Sequence, residues 1–368
     1  MRNSKACIFT IASKNYLAHA RTLLKSSQKY NAGIDTVLLL ADKIDGHFEP
    51  IKEPFKVIEA EELGIPEFDS FSFKYNILEF NTAVKPYAFD YLFEKFAYEK
   101  ILYLDPDILI FSSLDEIFDL LETYTIVLTP HLTTPLPDDG RIPEDLDIIR
   151  GGVFNLGFLG LANNDKTSGL LAWWKRKLYD QCLIAPSSGY MVDQSWMSLV
   201  PCITDNYFIQ KNSGYNLSYW NLHERKLEKR GEYFFVNGSP LLFYHYSGFI
   251  MEQKTRLSKY QNRFTLDEIP NLNELFGIYA AELDKNGYSE TSGWPYKYGF
   301  FKNGRLIKTL HRTLYLSCGA GTNRFKNPYE AFWRKYVKNK PIRAILNKYV
   351  FFKAIDEILG HLWKLFKK

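Results

Sequence analysis

Two aspartates one residue apart, Asp105 and Asp107, stand in the run Tyr103-Leu104-Asp105-Pro106-Asp107-Ile108-Leu109-Ile110-Phe111, between two apolar segments. The apolar segments predict buried strands over residues 101–104 and 108–111, with both carboxylates on the turn between them. Pro106 fixes its own φ and pushes Asp105 toward extended backbone, which lets the two carboxylates converge instead of facing opposite sides. Converging carboxylates at a strand end suit a hard divalent cation, Mg²⁺ or Mn²⁺, which takes oxygen ligands and shares them with substrate phosphates. For the tripeptide alone, a polar turn without any metal is the plainer reading.

The elements that must hold such a turn follow from the pattern around it. Residues 6–12 read as a first strand, residues 16–30 as a helix, and residues 36–41 as a second buried strand ended by Asp42. Continuously apolar strands joined by a helix imply a parallel sheet covered on both faces. Ligands collect at the carboxyl ends of such strands, which places Thr10, Ala12, Tyr16 and Asp42 at a nucleotide crevice. No Gly-x-Gly-x-x-Gly follows the first strand, so a dinucleotide site is not expected. A short third strand is predicted over residues 55–58, then two helices over residues 73–80 and 82–96. Lys85 lies in the first turn of the second helix, beside Pro86, near an N-terminus that favours anions.

Beyond the acidic turn, residues 114–122 read as a helix and 125–129 as a strand. Residues 130–150, rich in proline and aspartate, read as an irregular excursion of the kind that forms a lid or binding loop. Residues 151–161 form a strand whose glycines imply a close approach of backbone or ligand. Residues 165–182 are a long amphipathic helix. Asp193 and Gln194 open a further helix, where a carboxylate would also serve the helix N-terminus. Short strand-like pieces are predicted over residues 207–210, 216–222 and 233–236. In the middle one, Tyr219 and Trp220 would either stack on a sugar face, with Asn221, His223 or Arg225 binding hydroxyls or phosphate, or pack in the core. Residues 241–244 are an apolar strand that delivers His245-Tyr246-Ser247-Gly248 at its end.

In chain order, Thr82-Ala83-Val84-Lys85-Pro86, Asp105-Pro106-Asp107, Asn155-Leu156-Gly157, Asp193-Gln194 and His245-Tyr246-Ser247-Gly248 resemble the motif series of the GT-A glycosyltransferases, in particular the glycogenin-like and lipopolysaccharide-galactosyltransferase-like retaining enzymes. The resemblance spans roughly residues 6–250. It implies a GT-A fold, Rossmann-like and with a mixed sheet flanked by helices, and a nucleotide-sugar donor, UDP-linked by analogy. It further implies that Asp105, Asp107 and His245 hold the metal, that Lys85 contacts the diphosphate or donor sugar, and that Asn155 meets donor sugar or acceptor. Asp193 and Gln194 would support an oxocarbenium-like transition state electrostatically. The Lys-Pro-Trp expected after the His-x-x-Gly is absent, and Lys254 or Arg256 is the candidate replacement.

With 368 residues, 46% of them hydrophobic, the chain can bury a large core. The expected organisation is a catalytic domain over residues 1–260 and a helical, basic region over 261–368. Residues 301–368 carry 16 Lys and Arg against 3 Asp and Glu, a balance of +13; the chain's +4 therefore leaves −9 for residues 1–300. The basic residues alternate with Phe332, Trp333, Tyr336, Phe351, Phe352, Leu362, Trp363 and Phe366, a pattern that favours a membrane surface or partner helix over nucleic acid. Four widely spaced cysteines form no Cys-x-x-Cys pair, and no apolar run approaches the ~18 residues a membrane span needs. The expectation is a cytoplasmic protein, peripheral on the inner face of the plasma membrane, that transfers a hexose-type sugar to a glycan or lipid-linked acceptor in surface polysaccharide assembly. The rivals are an inverting enzyme with Asp193 as general base, a sugar-nucleotide pyrophosphorylase, and a non-catalytic, membrane-recruited sugar-nucleotide-binding protein.

Overall fold

The computed structural model describes residues 5–317 and 327–330; the basic stretches over 331–338 and 341–368 lie outside the described residues. The chain runs β1 (Ala6–Ala12), α1 (Leu17–Tyr30), β2 (Asp35–Leu40), β3 (Lys56–Glu59), α2 (Phe68–Lys74), α3 (Ile77–Ala83), α4 (Lys85–Phe96), β4 (Lys100–Leu104), β5 (Ile108–Ile110), α5 (Asp115–Thr123) and β6 (Ile126–Pro130). There follow α6 (Asp145–Gly151), β7 (Phe154–Ala162), α7 (Asp165–Leu178), β8 (Ile184–Ala185), β9 (Tyr190–Met191), α8 (Gln194–Met197), α9 (Val200–Ile203) and β10 (Tyr207–Ile209). Last come β11 (Leu227–Arg230), β12 (Tyr233–Val236), β13 (Ser239–Pro240), β14 (Phe243–His245), α10 (Leu272–Lys285), α11 (Tyr288–Thr291) and α12 (Thr309–Ser317).

Seven strands form a mixed sheet in the order β10-β6-β7-β4-β1-β2-β3. β1 lies parallel to β2 and β4, whereas β7 runs antiparallel to both β4 and β6. Helices cover both faces, which is why every residue of β1, β4 and β7 is buried. This is the mixed α/β sheet flanked by helices that the motif order implied. Fully burying side chains such as Phe9, Phe89 or Trp174 stabilises by roughly 1.5–3 kcal/mol each, so the core fixes the sheet firmly.

Three local readings of the sequence are corrected. The aromatic stretch after residue 66 forms three helices, not two, because Asn76 and Glu79 reciprocally cap a new N-terminus: Glu79 N donates to Asn76 Oδ1 at 3.0 Å and Asn76 N to Glu79 Oε2 at 3.0 Å. The excursion over 130–150 contains α6, started by the same device between Glu144 and Asp147. Residues 216–222 form turns, because Asn216 takes a left-handed φ of 53° and the Asn221 side chain bonds Ser218 N and Asn216 O, a local alternative to a strand ladder.

β5 leaves the large sheet and pairs antiparallel with β14, with His245 opposite Ile108. The described residues after 260 pack against what precedes them. Arg21 and Lys25 of α1 bond Asn286, Lys297 N donates to Asp42, and Arg312 donates to the carbonyls of Phe73 and Tyr298. No helix of the described residues is long and apolar enough to cross a membrane.

Candidate active site

A cleft of about 1610 Å³ opens at the carboxyl end of β1 and β4. The β5–β14 pairing assembles its centre. With His245 in register with Ile108, the imidazole meets the acidic turn: Nε2 lies 3.1 Å from Asp107 Oδ1 and 3.7 Å from Asp105 Oδ2. Backbone bonds fix both partners. Asp105 N donates to Gly157 O at 2.8 Å, Tyr246 N to Asp107 O at 2.8 Å, and His245 N to Leu217 O at 2.8 Å.

One ligand atom from each of Asp105, Asp107 and His245 lies within 4.8 Å of the others. Two ligands at right angles around an ion held at about 2.1 Å stand about 3 Å apart, so the separations fit a divalent cation. One imidazole with carboxylate oxygens suits Mn²⁺ or Mg²⁺ better than a thiolate-seeking metal. The electrostatics agree. Burial lowers the pKa of His245, but the two aspartates more than offset it and the net shift is upward; burial raises Asp105 and, against its own burial, His245 holds Asp107 down. The free cluster thus favours positive charge at the place a cation would occupy.

Lys85, 1% exposed, donates to Asp193 Oδ2 at 2.5 Å and to Leu156 O at 2.9 Å, with Nζ 4.1 Å from the Tyr103 ring centroid. Tyr103 in turn donates to Asp105 Oδ1 at 2.5 Å. Burial raises the Asp193 carboxyl and Lys85 partly opposes it. Gln194 accepts from Leu156 N at 2.9 Å and donates to Gly151 O at 2.7 Å, so its amide already has protein partners on both sides. Asn155 is 6% exposed and bonded to its neighbours at both ends.

Ala12, Tyr16, Lys85, Asp105, Asp107, Asn155, Asp193, Gln194 and His245 all line the cleft. Thr10 and Asp42 do not. Thr10 is fully buried within β1, and Asp42 is fully buried and taken up by Lys14, Lys43 N and Lys297 N, so it braces the strand end instead of facing a ligand. Neither proposed replacement for the missing lysine reaches the wall. Lys254 pairs with Asp284 at 3.4 Å and Arg256 bonds the Lys259 carbonyl, whereas Lys259 does line the cleft. Tyr219 and Trp220 line it too. Asn221, His223 and Arg225 do not; they bond Asn216 O, Thr134 and the carbonyls of Ser213 and Tyr215.

Sequence reasoning did not single out His19, His131, Asn216 or Arg263. His19 stacks on Tyr16 at 4.0 Å, and burial lowers its pKa to about 4; His131 is likewise lowered to about 4. Arg263, 3% exposed, donates to Asp139 at 2.6 Å and to the carbonyls of Arg141 and Pro143 at 3.0 Å. It ties residues 139–143 of the excursion together, and Gly140, Ile142 and Pro143 of that segment line the cleft.

Residues 7–183, just under half of the chain, match the model of glycosyl transferase family 8. YfnF of Bacillus subtilis, an uncharacterized protein, is 26% identical over 185 residues, covering 48% of this chain and 58% of its own length. YfnD of the same organism, also uncharacterized, is 24% identical over 191 residues, 51% of this chain and 58% of its own. The match thus spans less than two thirds of either relative. Among solved structures, the glycosyltransferase GlyE of Streptococcus pneumoniae superposes with a TM-score of 0.42 at 18% identity, over 82% of this chain and 67% of that one. The galactosyltransferase LgtC, solved with donor and acceptor sugar analogs, gives 0.42 at 17%, over 75% and 95%. Superpositions at that level carry no argument about substrate.

Proposed function

We propose that this chain, which resembles GT-A glycosyltransferases and matches family 8 over residues 7–183, moves a hexose-type sugar from a nucleotide diphosphate donor, UDP-linked, to a glycan or lipid-linked acceptor with retention of configuration. The observation that carries the reading is the convergence of Asp105, Asp107 and His245 within 4.8 Å at the floor of the cleft. Those three would hold Mn²⁺ or Mg²⁺, which supplies Lewis-acid neutralisation of a leaving diphosphate. Tyr103 and the β5–β14 register keep the carboxylates aimed. Tyr16 and the end of β1 form the side of the cleft offered to the nucleoside. Asp193 would present negative charge to a sugar that becomes positive in the transition state, and the Lys85 ammonium opposes the effect of burial on that carboxyl.

The inverting alternative uses Asp193 as general base. Its 2.5 Å pairing with Lys85 speaks against it, because a lysine at that distance opposes proton uptake. Proton NMR of the anomeric linkage in the product decides between them.

Isothermal titration of UDP with and without Mn²⁺, followed by mass-spectrometric screening of a nucleotide-sugar panel for hydrolysis, tests the main reading. The expected result is UDP affinity that requires the metal and is lost in Asp105→Ala and His245→Ala. Affinity unchanged by chelator, or by those two exchanges, would sink it. The basic tail suggests recruitment to the inner face of the plasma membrane; co-flotation of the full chain with anionic vesicles, against a truncation at residue 330, reads that directly.

A further inference from the structure

The amide of Asn155 is oriented by its neighbours without ambiguity. Its Oδ1 faces Gly157 N at 3.2 Å, Asn216 Nδ2 at 3.0 Å and His245 Nδ1 at 3.2 Å. A backbone N–H only donates, so the Asn155 atom in front of Gly157 is the oxygen. The other end agrees. Gln194 Oε1 accepts from Leu156 N at 2.9 Å and is therefore oxygen, and Asn155 Nδ2 points at it from 3.4 Å and at His131 Nε2 from 3.1 Å.

Carboxylate oxygens face Nε2 as Asn155 Oδ1 faces Nδ1, so the free ring can hold a proton on either nitrogen; once a cation takes the place of a proton on Nε2, the Asn155 oxygen keeps the other proton on Nδ1. We infer that Asn155, itself held by Asn216, is the positioning group that fixes His245 as the Nδ1–H tautomer and so makes its Nε2 a ligand for the divalent cation. The inference rests on the cation site proposed above and adds two residues to it. Asn216 is built for the task. It is 1% exposed, its Nδ2 is shared with Thr129 Oγ1 at 2.8 Å, its carbonyl accepts from Asn221 Nδ2 at 3.0 Å, and it occupies a left-handed conformation that asparagine tolerates better than most residues. The opposite tautomer would aim an N–H at the carboxylates and leave no lone pair for a metal.

Long-range ¹H–¹⁵N correlation on ¹⁵N-histidine protein, saturated with diamagnetic Mg²⁺ at a pH where the ring is neutral, reads the tautomer directly, with His245→Gln providing the assignment. Mn²⁺ affinity, followed by EPR of the free ion, is measured on the same proteins without Mg²⁺. The wild type is expected as Nδ1–H. Asn155→Leu should lose roughly 10–100-fold in Mn²⁺ affinity, the usual cost of removing such a partner. Asn155→Asp, which keeps an oxygen at the position, should recover most of it. Asn216→Ala should show a smaller loss and a mixed tautomer, and it carries the test where Asn155→Leu does not fold. An Nε2–H wild type, or a folded Asn155→Leu that binds Mn²⁺ as the wild type does, overturns the inference. A wild type with no Mn²⁺ or Mg²⁺ affinity overturns the cation site itself, a result distinct from failure of this inference, in which the wild type binds the ion and the folded Asn155→Leu binds it equally.

Discussion

Gly157→Ala is a one-carbon change whose effect is set by where His245 sits. A Cβ at that position would lie 2.4 Å from His245 Cε1, 2.8 Å from His245 Nδ1 and 2.8 Å from Asn155 Oδ1. Carbon atoms in contact prefer about 3.5–4.0 Å, so the imidazole must retreat by about 1 Å. It has little room, because the Trp220 ring stands edge-on at 5.2 Å on another side and is itself buried. A cation tolerates ligand displacements of only about 0.2 Å, so a shift of that size removes His245 as a ligand. Gly157 has no left-handed backbone, and Gly→Ala would otherwise stabilise by about 0.4–1 kcal/mol through the unfolded state. Overpacking costs about 1–3 kcal/mol and wins, so the variant should melt a few degrees lower. EPR titration should show Mn²⁺ affinity reduced at least 10-fold, by the logic of a lost or misplaced ligand partner. The control is the same exchange in a His245→Ala background, where the clash with the ring is gone and the added methyl should cost much less. A single variant as stable and as metal-avid as the wild type, or strict additivity in the double variant, would refute the argument.

Lys85→Met should destabilise by about 3–5 kcal/mol in urea titrations, because it strands the buried Asp193 carboxylate, and Lys85→Met with Asp193→Leu should recover most of that. The raised pKa of His245 in the metal-free protein means that the stabilisation from its charged ring is complete below the ordinary histidine value near 6.5 and is lost as pH climbs through the raised value. Chelator-treated protein should therefore melt lower across that window, while Mn²⁺ affinity, which needs the unprotonated ring, increases across it. His19 and His131 act in the opposite sense. Each takes a proton near pH 6.5 when unfolded but only near 4 when folded, so stability present above pH 6.5 is lost as pH falls to 4, by about 3 kcal/mol each, and His131→Gln should remove about half of that loss. Arg263→Ala should free residues 137–143, detected as new proteolytic cleavage there with the sheet core still protected; an unchanged digestion pattern would show that Arg263 does not hold the wall.

Legibility tracked the range of the interaction. β1 was readable residue for residue, because seven consecutive apolar or small residues admit few alternatives once a sheet is covered on both faces. The acidic turn was readable because Pro106 and its apolar flanks are local. What could not be read from pattern alone was that residues 108–110 abandon the large sheet for β14, since a three-residue apolar strand carries no mark of its partner. His245 entered through the motif order, not through any pairing signal. Asn216 carried no signal at all, as its left-handed turn breaks an otherwise strand-like run. α6 did carry one, in the spacing of Glu144 and Asp147, but the surrounding prolines obscured it. Asp42 was placed correctly at a strand end, yet the donors that draw it inward include the Lys14 ammonium and the Lys297 backbone N–H, separations that periodicity does not encode.

The division of the site along the chain bears on what the family match can support. Residues 7–183 include Asp105, Asp107, Asn155 and Lys85 but stop short of Asp193, Gln194, Asn216 and His245. The matched part therefore supplies two carboxylates on a turn, a feature that many loops share. The later part supplies His245, the third side chain of the candidate cation site, the partner of Lys85 and the amide that orients Asn155. Because β5 lies within the match and β14 outside it, the ladder between Ile108 and His245 joins the two parts of the chain at the site. A fragment ending at residue 183 would leave Lys85 buried without its counter-ion and β5 without its partner strand. It should bind Mn²⁺ no better than any pair of exposed aspartates, and that comparison isolates what the unmatched half contributes to the chemistry.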